Sequence, residues 1–155
     1  MFPIINYGVG NPFSFSLVFL NAKTRELLIK DRTGGFFIHI KGNCYYAFSS
    51  KYIEVLNGIY FSSEVLTTSI PTMFKNCVKL RSAKLKNVNS DLFLRDSPSL
   101  DKETVLYMIN NLSNSSGNVS FFLHPDVYAK CVEGGEWYTE INEALKNQPK
   151  ISLAL

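Results

Sequence analysis

The chain has 155 residues, of which 46% are hydrophobic and 14% aromatic, which is enough apolar surface for one core. Charged residues make up only 19%, which argues against disorder, and the net charge of +3 is scattered, so we expect no nucleic-acid partner. The sequence contains no apolar run of membrane-spanning length and begins without a basic or a long apolar segment, so we expect no membrane partner and synthesis in the cytoplasm without export by the usual route.

The first twelve residues predict an irregular arm, since they contain two prolines and two glycines. The arm carries four apolar side chains that are candidates for assembly contacts: Phe2, Ile4, Ile5 and Tyr7. They either dock onto a neighbouring subunit or fold back onto their own domain.

Residues 13–50 predict a small antiparallel β-meander. Alternating or β-branched segments at 13–20, 26–30 and 36–40 are typical of strands, and tight turns separate them. We place a soft boundary at the end of this meander, although it is expected to form one compact unit with the rest of the chain.

Residues 51–155 have a different pattern of short strands and helices. Strands are predicted at 52–55 and 58–61, joined by a turn at Asn57-Gly58, and again at 91–94. The further predicted elements are a helix capped by Asp101 and ending at Leu112, and a strand at 119–123. A helix then starts at Pro125, runs through Cys131 and is broken by Gly134-Gly135, and it is followed by a helix at 136–146 and a closing strand at 151–155. The alternation of strand and helix from residue 91 onward predicts parallel strands with right-handed crossovers.

The segment from Met73 to Leu85 has the pattern Phe-x-x-Cys-x-x-Leu-x-x-Ala-x-Leu. A short helix with an early proline precedes it at 70–74, and its end alternates as a short strand does. This pattern resembles the BspA-like class of leucine-rich repeat, whose units share Phe-x-x-Cys-x-x-Leu-x-x-Val-x-Leu. Here Ala83 takes the place of the usual valine, and Ser97 stands where a cysteine is expected.

The resemblance extends over roughly residues 56–155. The segments beginning at Ser97 and Phe122 and the final Ile-Ser-Leu-Ala are similar to the closing part of surface and phage-tail proteins of gut anaerobes. The resemblance therefore implies an α/β fold, a short leucine-rich-repeat-like solenoid of one to three coils with parallel strands and helices. The meander lies outside it.

The sequence shows no motif for catalysis or cofactor binding. His39 is predicted to be an ordinary strand residue, and His124 with Cys131 lacks the third group that a Cys-His nucleophile requires. The cysteines at 44, 77 and 131 have no metal-ligand spacing and are expected to be buried, reduced thiols. We therefore predict no enzyme activity, no cofactor and no metal; the carboxylates Asp91, Asp96 and Asp101 also match no calcium loop.

Aromatic residues are concentrated in one third of the chain and supply the candidate contact surface. They are either core residues of the sheet or anchors for a protein or a sugar. A second candidate is the loop that follows Gly134-Gly135. The candidate contact residues are Tyr45, Tyr46, Tyr52, Tyr60, Trp137 and Tyr138.

Three classes of function remain open. The first is a non-enzymatic structural or attachment protein of a bacteriophage virion, associated with its tail or fibres and assembled in the bacterial cytoplasm. Its partners would be other subunits, in a homo- or hetero-oligomer, or a surface glycan. The alternative is a leucine-rich-repeat adhesin module at the bacterial cell surface. An enzyme ranks third. The absence of a signal peptide, the apolar arm and the closing segment favour the virion.

Overall fold

The computed structural model describes residues 2–3, 17–21, 26–30, 38–49 and 51–155. Within these residues the fold is α/β, with two sheets and four α-helices. The strands are β1 (Phe2–Pro3), β2 (Leu17–Asn21), β3 (Glu26–Lys30), β4 (Ile38–Gly42), β5 (Val55–Val65), β6 (Ser82–Lys86), β7 (Leu92–Leu94), β8 (Val119–Leu123) and β9 (Ile151–Ala154). The helices are α1 (Ile70–Met73), α2 (Lys102–Asn110), α3 (Pro125–Cys131) and α4 (Tyr138–Lys146), and a single 3-10 turn spans Thr67–Ser69.

Strand β5 is the centre of the first sheet. Its first residues, Val55 and Leu56, pair in parallel with both β3 and β6, so these two strands lie on its opposite edges. From Ile59 to Val65 its partner is β4, again in parallel. Buried apolar side chains from Ile40 to Ile151 form a single cluster beneath the two sheets.

The predicted turn at Asn57-Gly58 is wrong, because β5 runs straight through it. The pairing with β6 shifts register between Leu56 and Ile59, so the dipeptide forms an irregularity inside one strand. A hairpin would reverse the chain, whereas β3, β4 and β6 all run parallel to β5. These distant partners override the local turn signal.

The predicted meander needs a similar correction. Strands β2 and β3 do form an antiparallel pair, but the third predicted strand, β4, pairs in parallel with β5. The reason is that β3 occupies only the first two residues of the long β5, which leaves the rest of that edge for β4. In the predicted arm, Phe2 and Pro3 pair with β2 as strand β1, and the remaining arm residues lie outside the described ones.

The second sheet confirms the parallel strands predicted from residue 91 onward. Its order is β7-β8-β9, and both pairs are parallel. Alternate residues of β7 and β8 are buried, so Phe93 and Phe122, which are in register, lie on the half-exposed face. In the same register, β9 presents the small Ala154.

Three turns of the chain share one hydrogen-bond pattern: the first turn (44–49), the second turn (74–80) and the third turn (94–100). In each, the fourth residue donates its backbone N–H to the carbonyl oxygen of the first residue. The three donors are Ala47, Cys77 and Ser97, with N···O distances of 3.1, 3.3 and 3.1 Å. All three side chains are buried, so each turn presents the same inward-pointing position.

Side chains at this inward position link successive turns. The Cys77 thiol donates to the backbone oxygen of Phe48, with an S···O distance of 3.1 Å. The Ser97 hydroxyl in turn donates to the backbone oxygen of Cys77, at 3.1 Å. Small side-chain donors at positions 77 and 97 therefore connect the turns, whereas Ala47 at the same position of the first turn has no side-chain donor.

A second ladder of backbone bonds continues beyond the turns. The N–H of Arg81 donates to the oxygen of Glu54 at 2.9 Å, and the N–H of Asp101 donates to the oxygen of Arg81 at 2.7 Å. The residue after each of these three positions begins β5, β6 and α2, respectively. Helix α2 thus follows the third turn as β5 and β6 follow the first and second turns.

Helix α2 covers the outer edge of β6. The Asp101 carboxylate caps the helix by accepting from the N–H of Thr104 at 2.8 Å, as predicted from the sequence. The Thr104 hydroxyl then accepts from the N–H of Ala83 in β6, also at 2.8 Å. Beyond the helix, Asn111 accepts from the N–H of Asn87. The strand edge is therefore satisfied by a helix instead of another strand.

We predict that Ser97→Ala lowers the free energy of unfolding by about 1 kcal/mol, since it removes one buried hydrogen bond while the Cys77 oxygen keeps its bond from Leu80. Urea unfolding followed by Trp137 fluorescence measures the change. Ser99→Ala, at an exposed position of the same turn, is the matched control and should stay within about 0.5 kcal/mol. Equal effects of the two substitutions would contradict the ladder.

Candidate functional site

Three of the predicted contact residues are exposed together at and after the first turn. The exposed fractions are 37% for Tyr45, 50% for Tyr46 and 57% for Tyr52, which is unusual for large aromatic side chains. We call these three residues the tyrosine surface. Exposed tyrosines combine an apolar ring with a hydroxyl and are favoured anchors at interfaces.

The backbone at Tyr46 is strained. Its φ of 54° lies in the left-handed region, which is uncommon for bulky residues. Asn76 occupies the equivalent position of the second turn with a φ of 63°, and asparagine tolerates this conformation. A tyrosine that is half exposed and also strained contributes less to stability than asparagine would. Such residues cluster at functional sites.

Lysines flank the tyrosine surface. The Nζ of Lys75 lies 6.0 Å from the ring centroid of Tyr46, and the Nζ of Lys51 lies 5.2 Å from that of Tyr52. A shallow pocket of about 320 Å³ lies alongside, lined by Lys51, Asn76 and the 47%-exposed Val78. The surface is thus both aromatic and positively charged.

A second concavity, which we call the groove, lies between the second and third turns. It has a volume of about 280 Å³, and its lining includes Thr72, Lys75, Phe93, Arg95 and Asp96. Because Lys75 also approaches Tyr46, the groove and the tyrosine surface are neighbours.

One side of the groove is an aromatic stack. The rings of Phe93 and Phe122 are 4.6 Å apart between centroids and nearly parallel, at 9°. The guanidinium carbon of Arg95 lies 4.4 Å from the Phe122 centroid, and the guanidinium donates to the backbone oxygen of Leu155. Arg95 is therefore fixed by stacking and by a hydrogen bond.

The other predicted contact residues lie elsewhere. Tyr60 is on β5, in register with His39 and Lys86 on the flanking strands, and not on a turn. Trp137 is only 9% exposed, and the Nζ of Lys130 lies 4.8 Å from its ring, so Trp137 is not an exposed anchor. Tyr138 is partly buried as the first residue of α4. In the predicted assembly arm, Ile4, Ile5 and Tyr7 lie outside the described residues, and of Phe2 only the backbone pairing is described.

The candidate nucleophile and base have structural roles. His124 caps α3, where its Nδ1 accepts from the N–H of Asp126 at 3.2 Å. All three cysteines are free and buried, as predicted. Burial raises the pKa of both Cys44 and Cys131 to about 11, so their thiols stay protonated near neutral pH and react weakly as nucleophiles.

The three aspartates that were compared with a calcium loop each accept from a different backbone N–H. Asp91 accepts from Ser120 and Asp96 from Asn76, both at 2.7 Å, while Asp101 caps α2. Within the described residues, no group of three or more His, Cys, Asp or Glu side chains is placed to hold a metal ion. In the same part of the chain, no helix is long and apolar enough to cross a membrane.

The residues of the aromatic stack beside the groove carry no motif in the sequence. A usable signal lies in the alternation of β7 and β8, because a strand with Leu92 and Leu94 buried must turn Phe93 to the other face. The same reasoning applies to Phe122 in β8. Their stacking with Arg95 depends on the register of two strands far apart in sequence, which the alternation does not specify.

Comparisons of the chain with protein-family models, with curated protein sequences and with solved structures gave no match. The site is therefore interpreted from its own geometry.

We predict that Tyr46→Asn is more stable than Tyr46→Ala by about 1 kcal/mol, because both lose the ring but only asparagine tolerates the left-handed backbone. Urea unfolding of the two variants, measured side by side, isolates the backbone strain from the loss of the Lys75 contact. Identical stabilities would show that position 46 is not strained.

Proposed function

We propose that this protein is a non-enzymatic binding protein, built on a short leucine-rich-repeat-like solenoid, which attaches to a protein or glycan partner through the tyrosine surface. The exposure of Tyr45 and Tyr46 on the first turn and of Tyr52 shortly after it carries the proposal. Strain at Tyr46 supports it, since a residue kept for stability alone would be asparagine or glycine here.

The two ladders between turns support the solenoid. In a solenoid, each unit contacts its neighbours and the last unit needs a cap that closes the core. The second turn follows the leucine-rich-repeat pattern, and its Cys77 bonds back to the turn before it. Helix α2 has the position of such a cap, because it covers β6 with Thr104 and Asn111.

The proposed place of action is a bacteriophage virion, as a component associated with the tail or fibres. This part rests on the resemblance of the closing segment alone. Other subunits are the proposed assembly partners, with the arm residues Phe2, Ile4, Ile5 and Tyr7 as a further contact. The alternative is an adhesin module at the bacterial cell surface. Antibody labelling in electron microscopy separates the two, since it would mark phage particles in the first case and cells in the second.

We predict that the triple variant Tyr45→Ser, Tyr46→Asn, Tyr52→Ser loses partner binding by about tenfold or more, because exposed aromatic anchors contribute most of the binding energy at an interface. Binding of the labelled chain to bacterial cells and to their purified surface polysaccharide is measured, together with its mass by light scattering. Asparagine is chosen at 46 to avoid adding backbone strain.

The matched control carries three substitutions at exposed positions of α3 and α4: Ala129→Ser, Glu143→Ser and Lys146→Ser. It should bind and assemble as the native chain does. If the tyrosine variant keeps full binding, or if the native chain is a monomer that binds neither cells nor polysaccharide, the proposed function is wrong. Removal of residues 1–12 tests the arm separately, and an unchanged mass would eliminate its role in assembly.

A further inference from the structure

We propose that the groove between the second and third turns binds one acidic sugar residue, a six-membered ring that carries a carboxylate. This rests on the proposed function, because it specifies a glycan as the partner of the neighbouring tyrosine surface. The groove, however, has its own residues and is tested with its own probe.

The groove is lined in part by the aromatic ring of Phe93. Phe93 is covered on one face by Phe122, with 4.6 Å between the centroids, and Phe122 does not line the groove. Phe93 therefore contributes aromatic surface to the groove lining, and Phe122 supports its ring from one face. The C–H face of a sugar ring is apolar and packs against an aromatic ring, which few polar ligands of this size can do.

The groove also carries positive charge. Lys75 and Arg95 both line the groove, and within the described part of the chain neither forms an ion pair with an Asp or Glu side chain. Arg95 is held in place by its stacking on Phe122, so little freedom is lost when it binds a ligand. A carboxylate on the sugar would give Lys75 a charge-assisted bond, and Arg95, which already donates to the Leu155 oxygen, has further N–H groups for the same ligand.

Besides these cations, the groove contains hydrogen-bond acceptors for a ligand hydroxyl. One carboxylate oxygen of Asp96 accepts from the N–H of Asn76 at 2.7 Å, which fixes the side chain and leaves its second oxygen for a ligand hydroxyl. Thr72 donates its own hydroxyl hydrogen to Ser69 at 3.2 Å, so its oxygen also remains an acceptor. Sugar hydroxyls are the donors that such acceptors need. A doubly charged phosphate would be repelled by Asp96 more strongly than a singly charged carboxylate.

The volume of the groove is consistent with one sugar ring. The volume of about 280 Å³ lies just below the range of roughly 300–1,000 Å³ that is typical of pockets for larger organic ligands. Lys75, which lines the groove, also lies near Tyr46, so further units of a chain can reach the tyrosine surface. The combination favours a residue within an acidic polysaccharide.

The test is a titration of the isotope-labelled full chain with glucuronate, glucose or glucose 6-phosphate, followed by NMR. We expect glucuronate to shift the amide signals of Lys75, Asn76 and Asp96, and to bind about tenfold more tightly than glucose because only glucuronate carries the charge. Lys75→Gln should weaken glucuronate binding by about tenfold as well, and Phe93→Leu should weaken both sugars.

Lys79→Gln is the matched control, since Lys79 is an exposed lysine of the same turn and does not line the groove. It should leave binding unchanged, and the spectra themselves report whether each variant is folded. Equal binding of glucose and glucuronate, tighter binding of glucose 6-phosphate, equal effects of the two lysine substitutions, or no shift at the groove would each overturn the proposal. None of these results affects the tyrosine test, so the two proposals fail separately.

Discussion

The fold depends on hydrogen bonds that tie each turn of the chain to the turn before it. Cys77 and Ser97 do this with buried side-chain donors, and Arg81 and Asp101 do it with backbone N–H groups. Buried backbone oxygens that lose such partners are costly, so the ladders fix how far one turn is displaced from the next. Their spacing also aligns the exposed positions, so that the tyrosine surface, Lys75 and Arg95 follow one another along the molecule.

Elements that depend on local pattern are predicted well from the sequence. The strand β8 has the predicted bounds and the helix α3 begins at the predicted Pro125, because alternation and a proline at the helix start are local signals. The Asn57-Gly58 turn and the pairing of β4 are not predicted correctly. Both depend on β5, whose parallel partners β4 and β6 come from other segments of the chain. The periodicity of the sequence does not indicate which segments will pair. In these two cases, pairing with neighbouring strands overrides the local propensity of the sequence.

Some residues of the candidate site can be predicted from the sequence, and others cannot. The concentration of tyrosines at 45–52 is visible in the sequence, and the structure exposes three of them. Trp137 is also an aromatic residue of a predicted contact loop, yet it is buried, with the Nζ of Lys130 over its ring and its own N–H bonded to the Lys130 oxygen. Gly135 itself is required there, since a Cβ would lie 2.3 Å from the backbone oxygen of Ala129. Such close packing between a helix end and a loop cannot be read from composition.

Amide hydrogen exchange tests the ladders most directly. Arg81 and Asp101 directly follow the second and third turns, and their N–H groups donate to the oxygens of Glu54 and Arg81. Phe48 in the first turn donates to the oxygen of Met73, just before the second turn, and the three N···O distances are 2.7–2.9 Å. If the ladders hold the turns as one unit, these three amides exchange slowly and share a single opening free energy, equal to that of the most protected core strands. Three unrelated rates, with Asp101 exchanging as fast as an exposed loop amide, would contradict the account.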